Sequence, residues 1–229
     1  MDAEGARGEP GAAGPPGLRP RDLPNLPGED VGELFMYKVE HVDLKVGEVA
    51  MLTVFQETAP YREVYQWDAD TADVWSCLKL TNSTSMPWTT APAAVYRDWR
   101  MLGQNTLNYT PLKGEKVLPV TVSRDIGVGV TETELGREYE STPRDGYRWT
   151  AVTLEAAAAL QNYMDKPAEI TVTKTVVGEL LANSDEPTIA RSRESLQAMN
   201  PTNLLTWTVT LGAGEKKTLT WKCKTLVRQ

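Results

Sequence analysis

From Leu205 to Val227 the chain alternates with a regularity that few backbones accommodate. Leu205, Trp207, Val209 and Leu211 are separated by Thr206, Thr208 and Thr210, and after Gly212-Ala213-Gly214-Glu215 the pattern resumes at Leu219, Trp221, Cys223, Thr225 and Val227. A two-residue period sends alternate side chains to opposite faces of an extended strand, and the Gly-rich break between the runs predicts a β-hairpin. Composition points the same way. Thr occurs 26 times and Val 20 times in 229 residues, and branched β-carbons pack well on a pleated surface. The expected fold class is all-β: an antiparallel, immunoglobulin-like β-sandwich.

Further strands are expected over 34–40, 49–55, 62–67, 74–80, 93–96, 106–109 and 117–122. Lys45-Val46-Gly47-Glu48 and Leu112-Lys113-Gly114-Glu115 read as turns, and Arg97-Asp98-Trp99 as a hairpin tip. The 74–80 run is partly apolar on both faces, which predicts an inner strand. Residues 148–163 pose a conflict, because Glu155 and the four alanines 156–159 favour a helix. Val152, Leu154, Ala156, Ala158 and Leu160 nevertheless share one face at period two, so a strand is predicted. The run 168–177 then follows an Asp165-Lys166-Pro167 turn as the second arm of a hairpin. Between Asn183 and Asn203 the pattern lapses, with a short helix around 189–199 as one reading.

Three segments are expected: a Gly/Pro-rich leader without fixed structure over 1–33, and two sandwich-like halves over 34–140 and 141–229, divided near Glu140 to Gly146. Within the leader Gly5, Gly8, Gly11, Gly14 and Gly17 recur at every third position, a collagen-like spacing, but five triplets read as linker. The net charge of −7 and the lack of a Lys/Arg cluster argue against nucleic acid as a partner. No apolar run approaches the roughly 20 residues of a membrane span, and no apolar signal-peptide core opens the chain, so a soluble polypeptide is expected. Cys77 and Cys223 are too few for a disulfide framework, and their spacing does not decide between a bridge and two buried thiols.

The order of motifs then becomes informative. Val74-Trp75-Ser76-Cys77-Leu78-Lys79-Leu80-Thr81-Asn82-Ser83, the stretch from Ala93 to Gln104, and Thr110-Pro111-Leu112-Lys113-Gly114-Glu115 are followed by Gln161-Asn162-Tyr163-Met164-Asp165-Lys166-Pro167, Val177-Gly178-Glu179 and Leu205-Thr206-Trp207 ahead of Gly214-Glu215. Over Leu34 to Val227 this resembles the bacterial domain-of-unknown-function family found at the C-terminus of mucoidy-inhibitor-A-like proteins. The resemblance implies a β-sandwich module of envelope or exported proteins and no established catalytic residues. The chain departs from such relatives in its Gly/Pro-rich start and in lacking a long N-terminal coiled coil.

Side chains with chemistry are sparse. His41 is the only histidine, which removes any zinc site built on two or three imidazoles, and no nucleophile signature accompanies it. Asp68, Asp70 and Asp73 cluster between two strands, where a solvated turn competes with a Ca²⁺ site or a metal-assisted hydrolase. Seven tryptophans stand against two phenylalanines. Trp207 and Trp221 lie on regular strand faces, whereas Trp88 and Trp99 lie in a loop and a hairpin tip, where exposed indoles would serve as ligand platforms. Asn82-Ser83-Thr84 and Asn108-Tyr109-Thr110 match the glycosylation pattern by coincidence in a bacterial-looking chain. Gly127-Val128-Gly129-Val130 lacks the strand-loop-helix context of a phosphate loop. The leading expectation is a non-catalytic structural or protein-interaction module with no cofactor. A carbohydrate-binding module using Trp88 and Trp99 is the alternative, and the hydrolase comes third.

Overall fold

The structure is a computed structural model that describes residues 28–31, 34–139, 146–191 and 198–228. It divides into two compact units, residues 1–58 and 59–229. Most of the expected leader lies outside the described residues. In the first unit β1 (Gly28–Val31) pairs antiparallel with β2 (Leu34–Tyr37), and the Tyr37 ring lies 5.2 Å from Phe35 and 5.9 Å from Phe55. The 45–48 turn closes as expected, with the Glu48 N–H donating to the Lys45 carbonyl and Gly47 at φ 90°. The strand expected over 49–55 does not form, and Val49 and Met51 are 90% and 97% exposed. Alternation gives a segment two faces but no neighbour, and an extended backbone without a ladder is left to water.

The second unit is built entirely of strands, with no helix among its described residues. β3 (Tyr61–Asp68), β4 (Val74–Thr81), β7 (Glu115–Val122), β10 (Ala168–Val177), β12 (Thr188–Arg191) and β13 (Thr202–Leu211) form a six-stranded sheet in the order β12-β13-β10-β3-β4-β7. β8 (Ile126–Tyr139), β9 (Trp149–Asn162), β11 (Glu179–Asn183) and β14 (Lys216–Arg228) form a four-stranded sheet in the order β11-β14-β9-β8. β5 (Ala91–Arg97) and β6 (Arg100–Leu107) make a separate hairpin around the expected tip. Among the described residues the strand pairs are antiparallel except β3 with β10, which run parallel.

The two large sheets face each other as a sandwich. Trp67, Ile170, Val172, Leu205, Trp207 and Leu211 of the wider sheet meet Ala156, Ala158, Leu160, Leu219 and Trp221 of the narrower one in a single buried cluster. Each large apolar side chain removed from water here contributes about 1.5–3 kcal/mol. The Ala-rich segment is a strand, as its period predicted, with Ala156 and Ala158 on the core face and Glu155 and Ala159 outside. β4 is an inner strand, also as expected. β8 carries no signal in the sequence, because its half beyond Val130 is exposed on both faces and has no apolar alternation. Of the segment read as a short helix, Thr188–Arg191 is strand and 192–197 lie outside the described residues.

Two expected hairpins are arches. β9 and β10 lie in different sheets, and so do β13 and β14, so the turns at 163–167 and 212–215 carry the chain across the core. Leu205, Trp207, Leu219 and Trp221 therefore meet face to face, with Trp207 and Trp221 rings 6.1 Å apart. Asn162, fully buried, joins the two arches: its Nδ2 donates to the carbonyls of Lys166 and Gly212, both at 2.8 Å, and its Oδ1 accepts from the Met164 N–H at 3.0 Å. Gly178 makes a third crossing, from β10 to β11, at φ 127°, where an added Cβ would lie 2.5 Å from the Lys224 carbonyl oxygen. Because of these crossings, strands from both sides of residue 140 are neighbours in both sheets, and the expected boundary there divides neither sheet.

Candidate functional site

The wider sheet has two strands more than its cover, and this mismatch creates the site. Along β3 the residues Tyr61, Glu63, Tyr65 and Trp67 point to one face, and along β4 their partners Leu80, Leu78, Ser76 and Val74 do the same. Tyr65, Trp67 and Val74 belong to the sandwich core. Farther along the same face, Tyr61, Glu63, Ser76, Leu78 and Val120 line a groove of about 670 Å³, within the roughly 300–1,000 Å³ range of small-molecule sites. Its walls are Val95, Tyr96, Arg97 and Leu102 from the β5–β6 hairpin, Met164, Asp165 and Lys166 from the first arch, and Asp125 from the β7–β8 loop.

The walls are tied to the floor through one carboxylate. Arg97 Nη2 donates to Glu63 Oε1 at 2.6 Å and Lys166 Nζ donates to Glu63 Oε2 at 2.7 Å, so hairpin and arch are both held by β3. The Lys166 and Arg97 hydrogen bonds hold the Glu63 carboxyl below its ordinary value, outweighing the opposing effect of burial. Glu63 in turn raises the Lys166 ammonium. Burial raises the Tyr65 phenol, whose hydroxyl donates to Met164 Sδ at 3.3 Å. The hairpin approaches β7 at Gly103, where a Cβ would lie 2.0 Å from the Val120 carbonyl oxygen. A glycine is required there for the wall to stand as close as it does.

The expected site residues fall elsewhere. Trp88 is buried, 8% exposed, and its N–H and carbonyl exchange hydrogen bonds with Thr110, so it is a packing residue and not the exposed platform expected of it. A single β-bridge explains the difference, since it turns a loop that reads as open inward onto the sheet end. Trp99 is fully exposed at the hairpin tip, at φ 63°, but does not line the groove. Asp68, Asp70 and Asp73 are exposed and differently engaged. Asp68 Oδ1 accepts from the Asp70 N–H, while Asp70 Oδ1 accepts from Lys174 Nζ at 2.5 Å. Lys174 occupies a core-facing position of β10, with its ammonium 3.6 Å from Glu132 and 5.5 Å from the centre of the Trp221 ring. The cation beside Asp70 is therefore the protein's own. Among the described residues no group of three His, Cys, Asp or Glu side chains is gathered closely enough to hold a metal ion.

His41 is exposed in the first unit. Cys77 and Cys223 are free, buried thiols, and burial pushes Cys77 up to about 11. The Asn82 amide is fully buried and donates to the carbonyls of Met86 and Thr110, which commits it to fastening that loop. Tyr61, Glu63, Tyr96 and Lys166 line the groove without belonging to any expected site. The legible signal was Glu63, a charged side chain on the same strand face as Tyr65 and Trp67, where an uninterrupted core would carry an apolar one.

No family model, curated protein or solved structure matches the chain. Fold and site define an all-β sandwich with a groove over the uncovered part of its wider sheet. Among the described residues no helix is long and apolar enough to cross a membrane.

Proposed function

We propose that the chain is a non-catalytic β-sandwich interaction module, immunoglobulin-like in its two facing sheets, whose ligand enters the groove between the β5–β6 hairpin and the first arch. The observation that carries this reading is the groove itself: an inner sheet face left open, floored by aromatic and aliphatic side chains and walled by fixed charges. Neither a histidine nor a cysteine lines it, and its central carboxylate is held ionised by two cations, which makes Glu63 a positioning group and a poor proton donor. The resemblance to the mucoidy-inhibitor-A-associated family supports a bacterial envelope or exported setting, with a protein or glycan as partner.

The test is a fragment screen on protein carrying ¹³C-methyl methionine, read at the Met164 resonance. Binding fragments are expected to shift that signal, and Leu102→Trp, which fills the groove from its wall, is expected to abolish the shifts. Hits scattered over the surface, or shifts unchanged in Leu102→Trp, would remove the reading.

A further inference from the structure

Resting on the groove reading above, we infer that the occupant is an oligosaccharide whose rings stack on Tyr61 and Tyr96 and whose hydroxyls are held by the groove's charged walls. Tyr61 and Tyr96 are 60% and 62% exposed, although both line the groove. Rigid phenol rings offer contact area to a flat ligand face at little entropic cost. Two such platforms, one on the floor and one on the wall, call for a ligand with more than one ring.

The charges narrow the chemistry further. Glu63, Asp125 and Asp165 face Arg97 and Lys166 around the groove, three carboxylates against two cations. A phosphorylated ligand would meet the three anions, and a basic peptide would meet the two cations, so the near balance favours an uncharged partner. That partner must still both give and accept hydrogen bonds. Arg97 keeps most of its five N–H donors after its bond to Glu63, and Asp125 and Asp165, both exposed, offer acceptor oxygens. Ser76 and Thr121 add hydroxyls that do both. A sugar ring presents this mixture, with each hydroxyl a donor and an acceptor.

An extended peptide is disfavoured for a separate reason. The groove floor is the face of a sheet, and its central strand β4 is paired on both sides, with β3 and with β7. A peptide laid over the centre of the floor meets side chains there and not a free ladder edge, because β4 offers none.

The full chain with ¹³C-methyl methionine is titrated with hexasaccharides of β-1,4-glucose, β-1,4-N-acetylglucosamine, α-1,4-glucose and β-1,4-mannose, followed at Met164 and by calorimetry. At least one is expected to bind and shift Met164, and Tyr61→Ala or Tyr96→Ala should each weaken it by about tenfold or more. Tyr61→Phe, which keeps the ring, and Trp99→Ala, which lies outside the groove, should retain wild-type affinity. Both alanine changes fall at exposed positions, and an unchanged thermal melt confirms the fold of each variant. Binding that ignores Tyr61→Ala and Tyr96→Ala would overturn the inference. Silence from every saccharide while fragments still shift Met164 would overturn it and leave the groove reading standing. Silence from both saccharides and fragments would remove both.

Discussion

The inner face of the six-stranded sheet behaves as two surfaces. Beneath β9 and β14, the strands β10 and β13 present Ile170, Val172, Leu205, Trp207 and Leu211, all essentially without solvent contact. On the next two strands, β3 and β4, the same face presents Tyr61, Glu63, Ser76 and Leu78 beneath a hairpin that covers it incompletely. Both regions belong to one six-stranded sheet, joined where β10 pairs with β3 over residues 65–68, and they differ most in their cover. Where a second sheet fits, packing density and apolar side chains follow. Where it does not, tyrosines and an ion triad tolerate water on one side and protein on the other.

The contrast is sharpest under truncation. Trp207→Ala should cost about 3–5 kcal/mol of unfolding free energy, since it leaves a cavity beside Trp221 and strands the Ser184 carbonyl that its indole N–H serves at 2.9 Å. Leu78→Ala, on the same face but in the groove, should cost less than about 2 kcal/mol because water already reaches the site. Urea melts of the two variants decide it, and equal losses would mean that the groove closes in solution.

A smaller effect is expected at the triad. Glu63→Gln should cost about 1 kcal/mol or less, as befits partly exposed ion pairs. Its pH dependence is more diagnostic. The folded pKa of Glu63 lies below its ordinary 4.5, so its contribution is complete above the unfolded value and is lost as pH falls through the folded one. Wild type should lose stability relative to Glu63→Gln as pH drops below about 4.5, while the two should run parallel from pH 6 to 8. A difference between wild type and variant that does not shrink in acid would show that the triad does not hold the hairpin.

The smallest effect is at the hairpin tip. Asp98 and Trp99 have φ of 50° and 63°, left-handed values that favour glycine, and the Trp99 side chain touches little. Trp99→Gly should change stability by no more than about 1 kcal/mol, on the stabilising side, because relief of backbone strain outweighs the lost side chain. A clear destabilisation in thermal melts would show that the indole packs against something in solution.

Much of the sandwich was legible from residues read one strand at a time. The faces of β4, β9, β10, β13 and β14 follow the alternation of the sequence, including the Ala-rich segment that helix propensity alone would misassign. The arches were not legible, because Leu205 to Leu211 and Leu219 to Val227 show the same period whether they lie side by side in one sheet or face each other across a core. What separates the two arrangements is Asn162, whose amide reaches carbonyls 4 and 50 residues away. Nothing in its local sequence announces that reach. The groove was hidden for a related reason: Tyr61 comes from β3, Tyr96 and Arg97 from β5 and Lys166 from the first arch, and Glu63 marked the place only as a charge out of pattern. Trp88 misled because a loop indole reads as exposed until a bridge to Thr110 draws it inward.

The amino-acid order by itself determined which side of each strand is oily, because period two is a property of neighbouring residues and the extended backbone turns it directly into faces. The tertiary structure decided which strand lies beside which, how far the narrower sheet reaches across the wider one, and hence where a face stays open. Those choices depend on ladder bonds and side-chain contacts between residues tens of positions apart, and their free energies exist only once the whole sandwich has closed.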